Sequence, residues 1–200
     1  MSAEASRPLI LITNDDGIQA KGIQALASAM VQHGDVVVVA PDRAQSGMGH
    51  AVTINGILKM EPVTFGVEGV QAAWQTTGTP VDCVKLAIYE ILGKKPDLLL
   101  SGINHGSNAS INVIYSGTMS AAVEGAVEGI PSIGFSLLNH APTADFSACL
   151  PYVEKLALAV LHHSLPEGHV PQRQCPQFAW KRIERTQGMS AIRRPLGGRV

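Results

Sequence analysis

The sequence predicts an α/β fold, an open and mostly parallel sheet covered by helices on both faces. Short continuous apolar runs alternate with longer helix-like stretches, which is how buried parallel strands joined by helical crossovers read. A chain of 200 residues with 46% hydrophobic and 16% charged residues has the material for one well-buried domain. No apolar run reaches the length that spans a bilayer, and the opening MSAEASRPL lacks the basic and apolar regions of a signal peptide, so no membrane partner is expected.

The first strand is PLILIT (8–13), followed by a helix over GIQALASAMVQH (22–33) and a second strand, DVVVVA (35–40). The segment 51–76 breaks this rhythm. Its short β-prone pieces and glycines predict an inserted hairpin or small antiparallel β excursion. TPVDCVKLAIYEIL (79–92) opens as a helix should, with Thr79 at the N-cap, Pro80 at the first helical position and Asp82 in the first turn. DLLLSG (97–102) and IPSIGFSLL (130–138) supply two more strands around a small-residue helix, MSAAVEGAVEG (119–129). A last helix covers 145–163, in which Pro151 marks either a break or the true start, and His162 and His163 lie at its end. Cys83, Cys149 and Cys175 are far apart and form no C-x-x-C, which argues against a disulfide framework or zinc knuckle and fits a reducing cytoplasm.

Charge is uneven. From residue 171 onward seven Lys/Arg face a single acid, Glu184. Nucleic-acid binding would use such a stretch, but its prolines, glycines and glutamines without an apolar period read as a poorly ordered end, and no nucleic-acid partner is expected.

In open parallel sheets ligands bind outside the carboxyl ends of the strands. Three loops at that edge hold the chemistry. After the first strand comes Asn14-Asp15-Asp16-Gly17. Adjacent carboxylates repel; Gly17 lets the chain turn so that both converge, and a hard divalent cation, Mg²⁺ or Mn²⁺, would offset their charge. Asn/Asp/Gly clusters are equally turn signals, and this motif alone reads both ways. After the second strand, PDRAQSGMGH (41–50) offers donors at Ser46 and Gly47, while GMGHAV has Val52 where a dinucleotide fingerprint needs its third glycine. His50 reads as a site residue or as a solvated loop side chain. The richest loop spans 101–125: Asn104 and Asn108 supply amides, and Ser116-Gly117-Thr118 leads into a helix start, where N–H groups, a hydroxyl and the helix dipole favour a phosphate. Thr118 by itself also reads as an ordinary N-cap, although that leaves the loop's length and polarity unexplained.

A metal site and an anion cradle on one sheet edge point to metal-assisted phosphoryl chemistry. Other hydrolase designs lack their motifs: Ser136 lies in GFSLL and not in G-x-S-x-G, no G-x-x-x-x-G-K-[ST] occurs, and the adjacent aspartates are not an Asp-x-Asp.

The motifs TNDDG, APDRAQSG, TGTPVDCV, SGIN-x-G-x-N and YSGTMSAAVEG occur in the order found in the stationary-phase survival nucleotidase family, SurE, which the chain resembles from Leu9 to the mid-160s. The resemblance implies a Rossmann-like, doubly wound α/β core with a C-terminal β extension used in dimer or tetramer assembly. It implies a cytoplasmic, metal-dependent phosphatase that hydrolyses nucleoside 5′- and 3′-monophosphates, and in some members short polyphosphate. Asp15 and Asp16 match the metal-binding carboxylates, with Ser46 and Asn104 as the remaining ligands of one Mg²⁺ or Mn²⁺. Asn108, Ser116, Gly117 and Thr118 match phosphate-binding positions. Asp16 is also assigned the attacking water, Gly47 and Thr79 the base pocket, and Tyr115 either base stacking or packing, whereas Trp74 reads as packing.

The resemblance ends near HSLPEG (163–168). The expected organisation is therefore a SurE-like domain over 1–168 and an atypical basic tail over 169–200, with the family's C-terminal β extension missing and the tail read as a frameshift or truncation. The alternative function is a nucleotide-binding module that keeps the loops and has lost catalysis.

Overall fold

The computed structural model describes residues 7–45, 47–106, 113–141, 143–163 and 169–175. β1 (Leu9–Thr13) is the centre of a seven-stranded sheet. On one side stand β2 (Asp35–Pro41), β4 (Val70–Thr76) and β3 (Met60–Pro62); on the other stand β5 (Leu98–His105), β6 (Ser132–Leu137) and β7 (Gln172–Cys175). Every neighbouring pair is parallel except β3 on β4. Counting only the parallel strands in chain order, the sheet reads 3-2-1-4-5-6, the doubly wound order whose direction switches beside the first strand.

The continuous apolar runs are explained by cover on both faces. Ile10, Ile12, Val36, Val38, Leu98 and Leu100 pack beneath α1 (Lys21–Met30) and α4 (Leu150–His162). The alternate residues Leu9, Leu11, Val37, Val39 and Leu99 pack beneath α2 (Pro80–Leu86) and α3 (Gly117–Val127). In α1 the buried Ile23, Leu26, Ala27 and Met30 recur at helical spacing. α2 has the expected start: Thr79 accepts from the Asp82 N–H, and the Asp82 carboxylate accepts from the Thr79 N–H. It continues as a π-helical turn, Ala87–Leu92, ended by left-handed Gly93. Pro151 lies in the first turn of α4, so it marks the start of that helix and not a break.

Two expectations change. The segment 51–76 is only partly an excursion. β3 is its antiparallel piece, whereas β4 pairs in parallel with β2 from Val36↔Val70 to Pro41↔Thr76 and belongs to the main sheet. VQAAWQT escaped notice because it lies near the sheet edge, where glutamines interrupt the apolar run; Trp74 packs against the α2 face. The sheet also continues past residue 168: Gly134↔Gln172 to Leu137↔Cys175 pair β7 with β6, within the segment expected to be a tail. QRQC carries no apolar signature of a strand. Residues 176–200, the rest of that segment, lie outside the described residues.

Candidate functional site

The site begins where β1 ends. Asn14 closes the turn, its Nδ2 donating to the Gly17 carbonyl (2.9 Å) and its Oδ1 accepting from the Gly17 N–H (3.1 Å). Gly17 has φ +98°, and a side chain there would stand 3.2 Å from the Arg43 backbone. The loop after β2 therefore passes directly beside this turn. Ile18 N–H donates to the Pro41 carbonyl (2.9 Å) and Gln45 N–H to the Asp15 carbonyl (2.7 Å).

The turn presents both aspartates at the carboxyl edge of the sheet. Asp15 is buried against the start of α3: Thr118 Oγ1 donates to Asp15 Oδ1 (2.5 Å), and a methyl group on Gly117 would stand 2.6 Å from the Asp15 Cβ. Burial pushes the Asp15 pKa up from 3.8 to about 6; the Thr118 hydroxyl opposes the rise and the Asp16 charge adds to it. Burial likewise raises Asp16, with His105 opposing through its ring and its main-chain N–H. Asp16 Oδ2 is buried with no hydrogen-bond partner among the described residues. An orphaned carboxylate oxygen beside a second desolvated carboxylate is costly without a counter-charge.

Asn104 comes to the same edge from β5. Thr13 and Ser101 are register partners, and Asp16 and Asn104 each lie three residues further on; the β5–β6 register shifts between Ser101 and Asn104. Ser116 is the N-cap of α3, accepting from the Met119 N–H (3.1 Å), so the helix starts two residues earlier than expected. Thr118 is not the cap. Its hydroxyl, expected to face a phosphate, is fully buried and serves Asp15. Thus Asp15, Asp16, Asn104, Ser116, Gly117 and Thr118 share one end of the sheet at the switch beside β1. Ser46 and Asn108 lie outside the described residues.

Donor chemistry decides what the site suits. Among the described residues no three His, Cys, Asp or Glu side chains converge on one point. A cation here would rest on two carboxylates and neutral oxygens, a set that fits a hard divalent ion and not a thiophilic one.

Other residues take definite places. Thr79, assigned to a base pocket, caps α2 and donates its hydroxyl to the Ala51 carbonyl (2.7 Å). Tyr115 is 60% exposed beside Ser116. His162 and His163 are exposed at the end of α4. His50 is an exposed loop side chain, and its Nε2 also meets the buried Glu124 Oε2 at 2.8 Å. Sequence reasoning missed two neighbours of the site. His105, beside Asp16, has its Nδ1 3.2 Å from the Asn139 carbonyl and its ring edge against Phe146. Glu124 is buried in α3, and a lone acid inside a helix of small and apolar residues was its available signal.

The family model described as Survival protein SurE matches residues 10–195, which includes β7 and reaches beyond the mid-160s. The chain is 59% identical to the 5′-nucleotidase SurE of Flavobacterium psychrophilum over 82% of its own length and 64% of the relative's. It is 56% identical to that of Flavobacterium johnsoniae over 89% and 68%. It thus spans about two thirds of the length of these curated relatives. The crystal structure of the SurE protein from Aquifex aeolicus superposes with a TM-score of 0.79 at 40% identity, covering 88% of this chain and 69% of that one.

Proposed function

This chain belongs to the SurE family, and on that premise we propose that it is a metal-dependent phosphomonoesterase that converts nucleoside 5′- and 3′-monophosphates to nucleoside and phosphate. The observation that carries the reading is the orphaned, buried Asp16 Oδ2 beside the desolvated Asp15 carboxylate. Asp15, Asp16, Ser46 and Asn104 would hold one Mg²⁺ or Mn²⁺. Such an ion, when bound, supplies Lewis acidity, offsetting phosphoryl charge and making water a better nucleophile.

The chain's own groups do the rest. The Ser116 hydroxyl and the first-turn N–H of Gly117, with Asn108, receive the phosphate at the start of α3, where the helix dipole favours negative charge. Thr118 joins them through Asp15, whose orientation it fixes. Asp16, with one oxygen that has no hydrogen-bond partner among the described residues, orients the attacking water and accepts its proton. A cytoplasmic setting and the homo-dimer or tetramer that the resemblance implies belong to the same reading; the buried Cys83 thiol agrees with a reducing compartment.

The test is phosphate release from AMP, GMP and 3′-AMP by the purified chain with Mn²⁺ or Mg²⁺, beside Asp16→Asn and an EDTA control. Release should depend on the metal and fall by about a thousandfold or more in the variant. Turnover that survives both EDTA and Asp16→Asn would refute the assignment.

A further inference from the structure

Glu124 is the only charged residue of α3, and its side chain is 6% exposed. Its Oε2 accepts from His50 Nε2 (2.8 Å) on the loop after β2, and its Oε1 receives Lys85 Nζ (2.6 Å) from α2. Lys85 also reaches Glu128 (3.3 Å), whose other oxygen accepts from the Tyr89 hydroxyl (2.8 Å). One buried carboxylate thus joins α2, α3 and the β2 loop. None of these groups has a part in the reaction described above.

The geometry around His50 shows what this junction holds. Downstream, the loop is tied to the start of α2: Thr53 N–H and Oγ1 donate to the Asp82 carboxylate (3.0 and 2.6 Å). One residue before His50, Gly49 lies against the turn that leads into the phosphate cradle; a side chain there would stand 3.1 Å from the Ile114 carbonyl. Ile114 is two residues before the N-cap Ser116. The His50–Glu124 bond therefore crosses from this loop to the helix whose first turn is the cradle. Glu124 is buried while His50 and Lys85 keep 40% and 39% of their side-chain surface exposed, so these contacts contribute little net stability, but they can fix a geometry that apolar packing leaves loose.

We propose that His50 and Glu124 are positioning residues, seating the loop around Gly49 against the Ile114 turn and so setting the affinity of the Ser116–Thr118 cradle for phosphate. This role rests on the phosphatase reading of the cradle. His50 is the cleaner probe of the pair, because its removal leaves Glu124 still paired with Lys85 and no buried charge unpaired.

The experiment uses the full chain, with inorganic phosphate as the probe. Phosphate affinity in the presence of Mn²⁺ is measured by calorimetry for the unmodified protein, His50→Ala and His50→Gln, and amide hydrogen exchange is mapped without ligand. If the cradle is left competent for only a twentieth to a fifth of the time, His50→Ala weakens phosphate binding roughly 5–20-fold. Its exchange quickens around residues 47–53 and 113–116, while the sheet keeps its protection. His50→Gln, which retains an N–H at similar reach, stays within about twofold of the unmodified protein by the same arithmetic. Three results overturn the role: unchanged affinity in His50→Ala, a His50→Gln as weak as His50→Ala, or faster exchange throughout the sheet, which would mark a general loss of stability. Failure of the unmodified chain to bind phosphate overturns the phosphatase reading itself and this role with it.

Discussion

Asp15→Asn should stabilise the metal-free protein while destroying its function. In the folded chain Asp15 has its pKa pushed from 3.8 to about 6, chiefly by burial. The folded state therefore holds this proton more tightly than the unfolded state does. The sign follows: the proton-linked stability is fully present below about pH 4, is lost as pH rises through about 6, and stays lost above it. About two pH units at 1.36 kcal/mol each set the cost of ionising Asp15 at roughly 3 kcal/mol. Asparagine carries no charge at any of these pH values and keeps an Oδ1 to accept from Thr118 Oγ1. Urea unfolding in EDTA, in half-unit steps from pH 3.5 to 8, is the assay. The variant should match the unmodified protein near pH 3.5 and exceed it by about 1–3 kcal/mol at pH 8, the gap opening between pH 4 and 6. A gap that does not change with pH, or a variant less stable at pH 8, would refute the reasoning.

Other substitutions test the same contacts. Thr118→Val removes the hydroxyl that holds the Asp15 pKa down, so the Asp15 carboxyl should titrate above its present value of about 6, as followed by carbon NMR; a downward shift would mean that the hydroxyl bond is not made. Gly117→Ala puts a methyl group 2.6 Å from the Asp15 Cβ and should lower kcat/KM about a hundredfold by displacing the carboxylate, so an unchanged kcat/KM would show that the contact relaxes freely. Gly22→Ala should destabilise the protein by about 1–3 kcal/mol in urea unfolding, although alanine favours helices, because its methyl would fall on the Ile103 carbonyl and force α1 off β5.

Much of the fold is legible in the chain. LILIT and DVVVV announce buried strands because both of their faces are covered and no polar residue interrupts them. Thr79-Pro80 announces α2 because an N-cap hydroxyl and a proline at the first position are chemistry local to four residues. β4 and β7 are not announced. VQAAWQT and QRQC owe their strand state to the neighbours that hydrogen-bond their backbones, and those neighbours are distant in sequence. The site divides in the same way. Asp15-Asp16-Gly17 and Ser116-Gly117-Thr118 stand out as local clusters, whereas His105 and Glu124 do not, because nothing beside them in the chain says what they will face.

By itself the sequence determined which residue types could do the chemistry and which segments could be strands or helices, since propensity, capping and apolar runs are short-range properties. Only the tertiary structure decided that Thr118 serves Asp15 across 103 residues and that His50 meets Glu124 across 74. Both pairings depend on the order of strands in the sheet. In a parallel sheet every neighbour is reached through a crossover, so residues that touch at the switch beside β1 come from loops that share no local signal.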